Sequence, residues 1–293
     1  MVPVLLILIP LLAGLVTFFI RDEKVARLWS LLGSLAVLLV SVLGLTVLKQ
    51  EKNLQFSTEW LSSLNSSFSV KLDSMSQLLC LLNTIAYPLV ILSTWQTSYK
   101  KAHHFFGLML LAQAGMMGVF LATDALLFYF CWELALIPMY FLCSQWGGEK
   151  RIAVTFKFFV YTFLGSLLML IGILYVQAHT TDHSFSLDAF MNSRLTAAKQ
   201  QWIFFIAFAI KMPIFPFHTW QPDTYEQAPT ATTMILSGVM VKMGLFGLLR
   251  WLFMVMPLAA FQWADFITPL SLVGALYAAF IAIRQDDLKR LVA

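Results

Sequence analysis

Apolar runs divided by short charged or polar stretches mark nine candidate membrane spans, at 2–20, 28–48, 76–95, 105–122, 125–146, 155–177, 202–217, 230–250 and 266–284. A helix needs about 20 apolar residues to cross the hydrocarbon layer, and a large soluble core gives no reason for that length to recur. The pattern therefore predicts an all-α integral membrane protein. Three connections are long enough to hold structure of their own. Residues 49–75 alternate apolar and polar positions (Phe68, Val70, Leu72), as a short hairpin or extended loop does. Residues 178–201, with Phe185, Leu187, Phe190 and Leu195 among polar neighbours, read as a segment lying at the membrane interface. So do residues 251–265, apolar but interrupted by Pro257.

Composition sharpens this picture. Of 293 residues 60% are apolar and 12% charged, against roughly a quarter charged in soluble domains, so lipid must cover the surface that charge otherwise would. The net charge of +4 lies mostly in short loops, where Lys and Arg set topology. With the N-terminus outside, the inner side collects Arg21, Lys24, Arg27, Lys100, Lys101, Lys150, Arg151, Lys157, Arg284, Lys289 and Arg290. The outer side has fewer: Lys49, Lys52, Lys71, Arg194, Lys199 and Arg250. No basic block is interleaved with aromatic residues, which leaves nucleic-acid binding without support. Cys80, Cys131 and Cys143 lie inside apolar runs at unrelated spacings and read as packing residues. The first twenty residues lack a basic n-region and a small-residue cleavage site and read as a retained span. Ala293 directly follows the DDLKRLV string, so the chain either stops just past its last span or is a fragment.

Charged residues inside the spans carry the chemistry. A charge at the bilayer centre costs at least about 2.5–3.5 kcal/mol on insertion scales, and Glu133, Lys211 and Lys242 all fall deep within predicted spans. One acid and two bases at comparable depth suit a proton or cation relay. A lysine beside a carboxylate keeps its charge, whereas one in apolar surroundings is driven toward neutrality, so a change in their separation moves a proton. The bland alternative is a static ion pair that only holds helices together. Pro213 and Pro216 follow Lys211 at once; each removes a backbone donor and disfavours helix before it, which predicts a span broken at mid-membrane, as at transporter ion sites. Pro138, five residues after Glu133, is expected to loosen its helix similarly. His218, beside Asp223 and Glu226, titrates near neutral pH and is either a proton carrier or an interfacial histidine. Lys157 starts its span near the surface, where it either snorkels or admits protons. Asp73 and Asp124 sit at span ends and read as caps. No phosphate-cradling loop, CxxC set or haem-type histidine pair points to a redox cofactor in this chain.

Five strings resemble a known family: WELALIPMYFLCSQWGGEKR (132–151), KFFVYTFLGSLLMLIGI (157–173), KMPIFPFHTWQPDTYEQAPT (211–230), VKMGLFGLLR (241–250) and DDLKRLVA (286–293). They are similar to the antiporter-like membrane subunits of respiratory complex I, the proton-translocating NADH:quinone oxidoreductase, and within these to the M-type subunits. The resemblance implies about fourteen helices in two inverted five-helix repeats, each with a broken helix. On that pattern residues 1–104 hold the N-terminal spans and an outer loop, 105–250 the first repeat, and 251–293 the start of a truncated second one. It further implies that Glu133 pairs with Lys211, that Lys242 passes the proton along the central axis, and that His218 is the histidine of the PFHTW string. Tyr225 stands where many members have histidine, and tyrosine does not titrate near neutrality. The implied function is proton translocation in a multi-pass subunit of the cell inner (cytoplasmic) membrane. Its partners would be lipid and the other membrane subunits of the complex, with NADH, FMN, iron–sulfur clusters and quinone bound elsewhere. A cation (Na⁺)/proton antiporter subunit and a purely structural membrane subunit are the competing readings.

Overall fold

The computed structural model describes residues 1–48, 50–193 and 201–293. Its first two helices, α1 (Val2–Thr17) and α2 (Glu23–Thr46), turn back on each other, and the Asp22 carboxylate caps α2 by accepting the Val25 N–H at 2.9 Å. A single turn, α3 (Glu51–Leu54), leads into β1 (Gln55–Leu61) and β2 (Ser66–Lys71). These strands pair antiparallel, Phe56 opposite Val70 and Thr58 opposite Phe68, the hairpin that the alternation predicts. Next come α4 (Ser74–Ser93), α5 (Ala102–Leu121), α6 (Ala125–Trp146) and α7 (Arg151–Ala178). A short α8 (Leu187–Asn192) precedes α9 (Gln201–Lys211) and α10 (Trp220–Gln227). The chain closes with α11 (Thr230–Phe253), α12 (Pro257–Gln262), α13 (Ala264–Ala282) and α14 (Leu288–Val292).

Seven of these helices (α2, α4, α5, α6, α7, α11 and α13) are long and apolar enough to cross a membrane, while α1 and α9 are apolar but shorter. Among the described residues these are the nine predicted segments, so the all-α membrane fold stands. The boundaries differ where chemistry intervenes: α9 stops at Lys211 instead of running to 217, because the prolines follow. At the centre lies α5, enclosed by α1, α2, α4 and α6. The outer sides of α1, α2, α4, α7 and α13 carry many of the exposed leucine, isoleucine and phenylalanine side chains.

Three expectations need correction. Phe185, Leu187 and Phe190 do not turn an apolar face to lipid: all three are buried, because the backbone of Phe185 and Leu187 bonds to Ala125 and Thr123 at the junction of α5 and α6. Of residues 251–265, Trp251, Leu252, Val255 and Met256 turn inward, while Phe253, Met254, Leu258 and Phe261 stay exposed. Pro138 does not interrupt α6, which remains helical through Trp146. Lys49, Arg194, Leu195 and Lys199 lie outside the described residues.

Buried polar contacts fix the helix ends. Asp124 caps α6 by accepting the N–H groups of Leu126 and Leu127, and it also accepts Ser66 Oγ and Ser67 N from the hairpin, each at 3.0 Å. Asp73 caps α4 through Ser76 N and pairs with the buried Arg250 of α11. Burial alone would raise the Asp73 carboxyl, but the Ser76 N–H and the Arg250 guanidinium together hold it below its ordinary value. A carboxyl depressed on folding stabilises above its unfolded pKa of about 4 and loses that stability as pH falls through its folded value. Acid unfolding of the wild-type protein below about pH 4 should therefore have a component that Asp73→Asn lacks; identical acid limbs for the two in a detergent thermal-shift series would refute this.

Candidate functional site

The site begins where α5 and α6 touch. A Cβ on Gly115 would stand 2.5 Å from Ala135 N, and one on Gly118 would stand 2.4 Å from Cys131 Sγ. Only glycine allows this approach, and it brings the Trp132–Glu133 stretch of α6 into the protein interior. The Glu133 Oε1 atom is buried with no hydrogen-bond partner among the described residues. Lys211, at the last turn of α9, is only 2% exposed, and its Nζ likewise has no hydrogen-bond partner. The ammonium sits 5.4 Å from the centre of the Trp132 ring, where the π face attracts a cation. The direct Glu133–Lys211 contact implied by the resemblance is not among the ion pairs formed. The two groups are nevertheless near enough to act on one another electrostatically.

Beyond Lys211 the helix breaks as predicted, and residues 212–219 form turns. The carbonyls freed by a break in the membrane must find donors, and those of residues 208–210 do. Met212 N bonds to Phe208 O at 2.8 Å, Ile214 N to Ala209 O at 2.9 Å, and the Trp220 indole N–H to Ile210 O at 2.9 Å. The last of these joins α10 to α9 across the interruption with a side chain.

Lys242 lies on α11, half-buried, and Nζ donates to Ser237 O at 2.5 Å. That carbonyl lies in the π-helical stretch Leu236–Met240, and a second such stretch covers Leu248–Phe253. A π turn disturbs the regular i→i−4 ladder and recurs at functional sites, which leaves the Ser237 carbonyl able to receive the lysine.

A cavity of 790 Å³ opens between the break and α13, lined by His218, Lys157, Asp223, Tyr277 and Arg290 among others. His218 is flanked by Phe215 and Tyr277, with ring centres 5.6 Å and 5.2 Å away, and its Nδ1 has no partner among the described residues. Lys157 is not snorkelling free: Nζ donates to Thr219 O at 2.8 Å and to Asp223 Oδ2 at 2.9 Å. Arg290 grips Asp223 Oδ1 and Glu226 Oε2, both at 2.9 Å. Tyr225 is buried, and its hydroxyl accepts the Gln221 amide N–H at 3.0 Å.

The structure thus gathers Glu133 and Lys211 near one point, sets Lys242 on a neighbouring helix, and places His218 and Lys157 around the cavity. Sequence reasoning missed the Arg290 clamp, the Trp220 closure and the Ser237 acceptor. The first left a trace in the basic DDLKR string, read as topology and as part of the family resemblance but not as a site. The other two depend on where a carbonyl is freed, which no residue type announces.

The chain is similar to known proteins in sequence and in fold. Residues 122–293 match the family model described as NADH:quinone oxidoreductase/Mrp antiporter, TM. The chain is 38% identical to subunit M of the F(420)H(2) dehydrogenase of Methanosarcina mazei over 312 aligned positions, spanning 100% of this chain and 62% of that protein. It is 39% identical to NADH-quinone oxidoreductase subunit M of Rhodobacter capsulatus, covering 80% of this chain and 48% of the relative. A chain of respiratory complex I from Thermus thermophilus superposes with a TM-score of 0.89 at 28% identity, over 99% of this chain and 61% of that one. The chain therefore spans about three fifths, or less, of the length of these relatives.

Proposed function

Since the chain belongs to the NADH:quinone oxidoreductase/Mrp antiporter membrane family, we propose that it is a proton-translocating membrane subunit of a redox-driven complex of the inner membrane, working beside other membrane subunits. NADH, FMN, iron–sulfur clusters and quinone belong to its partners on this reading. The electron donor is decided outside this chain, since a relative at 38% identity belongs to an F(420)H(2) dehydrogenase.

The observation that carries the proposal is the state of Lys211: an amine 2% exposed, without a hydrogen-bond partner among the described residues, directly before a helix break. A static structural pair would hold its carboxylate in contact, because an unpaired buried charge is strongly destabilising. A relay needs the opposite, a base whose proton occupancy follows the distance to its acid. Redox chemistry in the partner subunits would change the Glu133–Lys211 separation. As they separate, Lys211 releases its proton toward Lys242; as they approach, it takes one up. His218 and Lys157, on the cavity beside the break, supply the incoming proton.

The sodium/proton antiporter reading is less favoured. Broken helices bind Na⁺ through freed carbonyl oxygens, and the carbonyls of residues 208–210 already receive protein donors. The deciding measurement is NADH-driven proton uptake by vesicles holding the complete complex with Glu133→Gln. Uptake should fall by at least about a hundredfold, with assembly intact and no dependence on sodium. Sodium-dependent transport in the absence of any electron donor would favour the antiporter instead.

A further inference from the structure

Gln113 of α5 is a fully enclosed amide, 0% exposed, and neither Oε1 nor Nε2 has a hydrogen-bond partner among the described residues. Nothing in the relay above uses it. A buried polar group without a partner bears its whole desolvation cost, so such a group points to ordered water or to a partner that comes and goes.

Its place follows from helix geometry. The chain reverses at each step from α5 through α6, α7 and the α9–α10 unit to α11, so α5 and α11 run parallel. Phe120 of α5 and Phe246 of α11 meet edge to face with ring centres 5.5 Å apart. Gln113 lies seven residues before Phe120, hence on the same face of α5 and about 10 Å along the axis. Lys242 lies one turn before Phe246 on nearly the same face of α11, and its Nζ reaches back to Ser237 O. Amide and ammonium therefore share a level in the bundle. Glu133 is close to that level too: Gly115 faces Ala135 and Gly118 faces Cys131, which sets Glu133 about one helical turn from Gln113 in depth. Since Gln113 shares the Phe120 face of α5, which meets α11, the amide is turned toward the helix that carries Lys242.

We propose that Gln113 is a positioning residue of the proton path, holding water at the level where Lys242 receives its proton. Its N–H donates to the oxygen of one water and its C=O accepts from the next. When the Lys242 amine takes a proton from the adjacent water, that water is made good by its neighbour, and the amide itself neither gains nor loses a proton. The inference rests on the translocation reading and adds to it a residue on a helix without charge.

The test uses the assembled complex in vesicles, comparing Gln113→Leu, Gln113→Met and Gln113→Glu with Lys211→Ala. Replacing an unpartnered amide by an apolar group of similar size leaves packing nearly unchanged, so Leu or Met should assemble. Either is expected to reduce NADH-driven proton uptake about tenfold. Gln113→Glu, which keeps an acceptor, should restore much of the uptake and shift its pH profile, an effect no packing role produces. Full uptake in Gln113→Leu or Gln113→Met, with Lys211→Ala inactive, overturns this inference alone. Full uptake in Lys211→Ala as well overturns the translocation reading beneath it.

Discussion

Lys211→Ala is expected to abolish NADH-driven proton uptake in vesicles containing the assembled complex, a loss of at least about a hundredfold. The side chain is buried against Trp132 and has no hydrogen-bond partner among the described residues, so its removal breaks no hydrogen bond or direct ion pair. Assembly should survive, which makes the activity readable. Lys211→Arg provides the sharper comparison. Arginine keeps the positive charge but cannot release its proton at any working pH. If Lys211 serves as a proton carrier, the arginine variant should be as inactive as the alanine one. If a fixed charge is all the site needs, arginine should pump normally, and the relay would have to be abandoned. Uptake is followed with a pH-sensitive dye, and subunit content is checked on a native gel.

Gly115→Leu should have the largest structural effect. The first side-chain atom alone would stand 2.5 Å from Ala135 N and 2.8 Å from Ala135 Cα, contacts with backbone that no rotamer relieves. The α5–α6 pair must separate, and because α5 is enclosed on every side the strain spreads to α1, α2 and α4. Overpacking typically costs about 1–3 kcal/mol, and a clash with backbone belongs at or beyond the upper end. Membranes carrying this variant should contain little assembled subunit, with a lowered melting temperature in detergent. Gly238→Ala is the control: nothing lies within 4 Å of a Cβ there, so the variant should assemble at wild-type levels. Normal assembly of Gly115→Leu would mean that α5 and α6 do not meet as described.

The fold was legible because lipid imposes a simple code. Each apolar run became a helix, and the polar hinges between them became caps such as Asp22, Asp73 and Asp124. The break after Lys211 was legible because proline leaves the backbone no choice. Legibility failed where the same apolar residues served a different neighbour: Phe185 and Leu187 read as interfacial, yet they bury against the α5–α6 junction. In the site, the charged residues stood out against an apolar background, whereas the groups that receive them did not. The Ser237 carbonyl, the Ile210 carbonyl and the Trp220 indole gain their roles from backbone geometry. Gln113 was overlooked because it is uncharged and sits in a helix that otherwise reads as one more apolar span.

The enclosure of α5 has a mechanical meaning. A bilayer that is thicker or thinner than the apolar belt loads the helices that touch it, which tilt or draw lipid in to compensate. That load falls on helices with exposed apolar faces, such as α1, α2, α4 and α7. Helix α5 takes its depth from its protein neighbours, and the polar layer it shares with α6 and α11 is referenced to the bundle. The depth of Gln113 is thereby insulated from membrane thickness, as the electrodes of a cell are held by their frame while its walls flex.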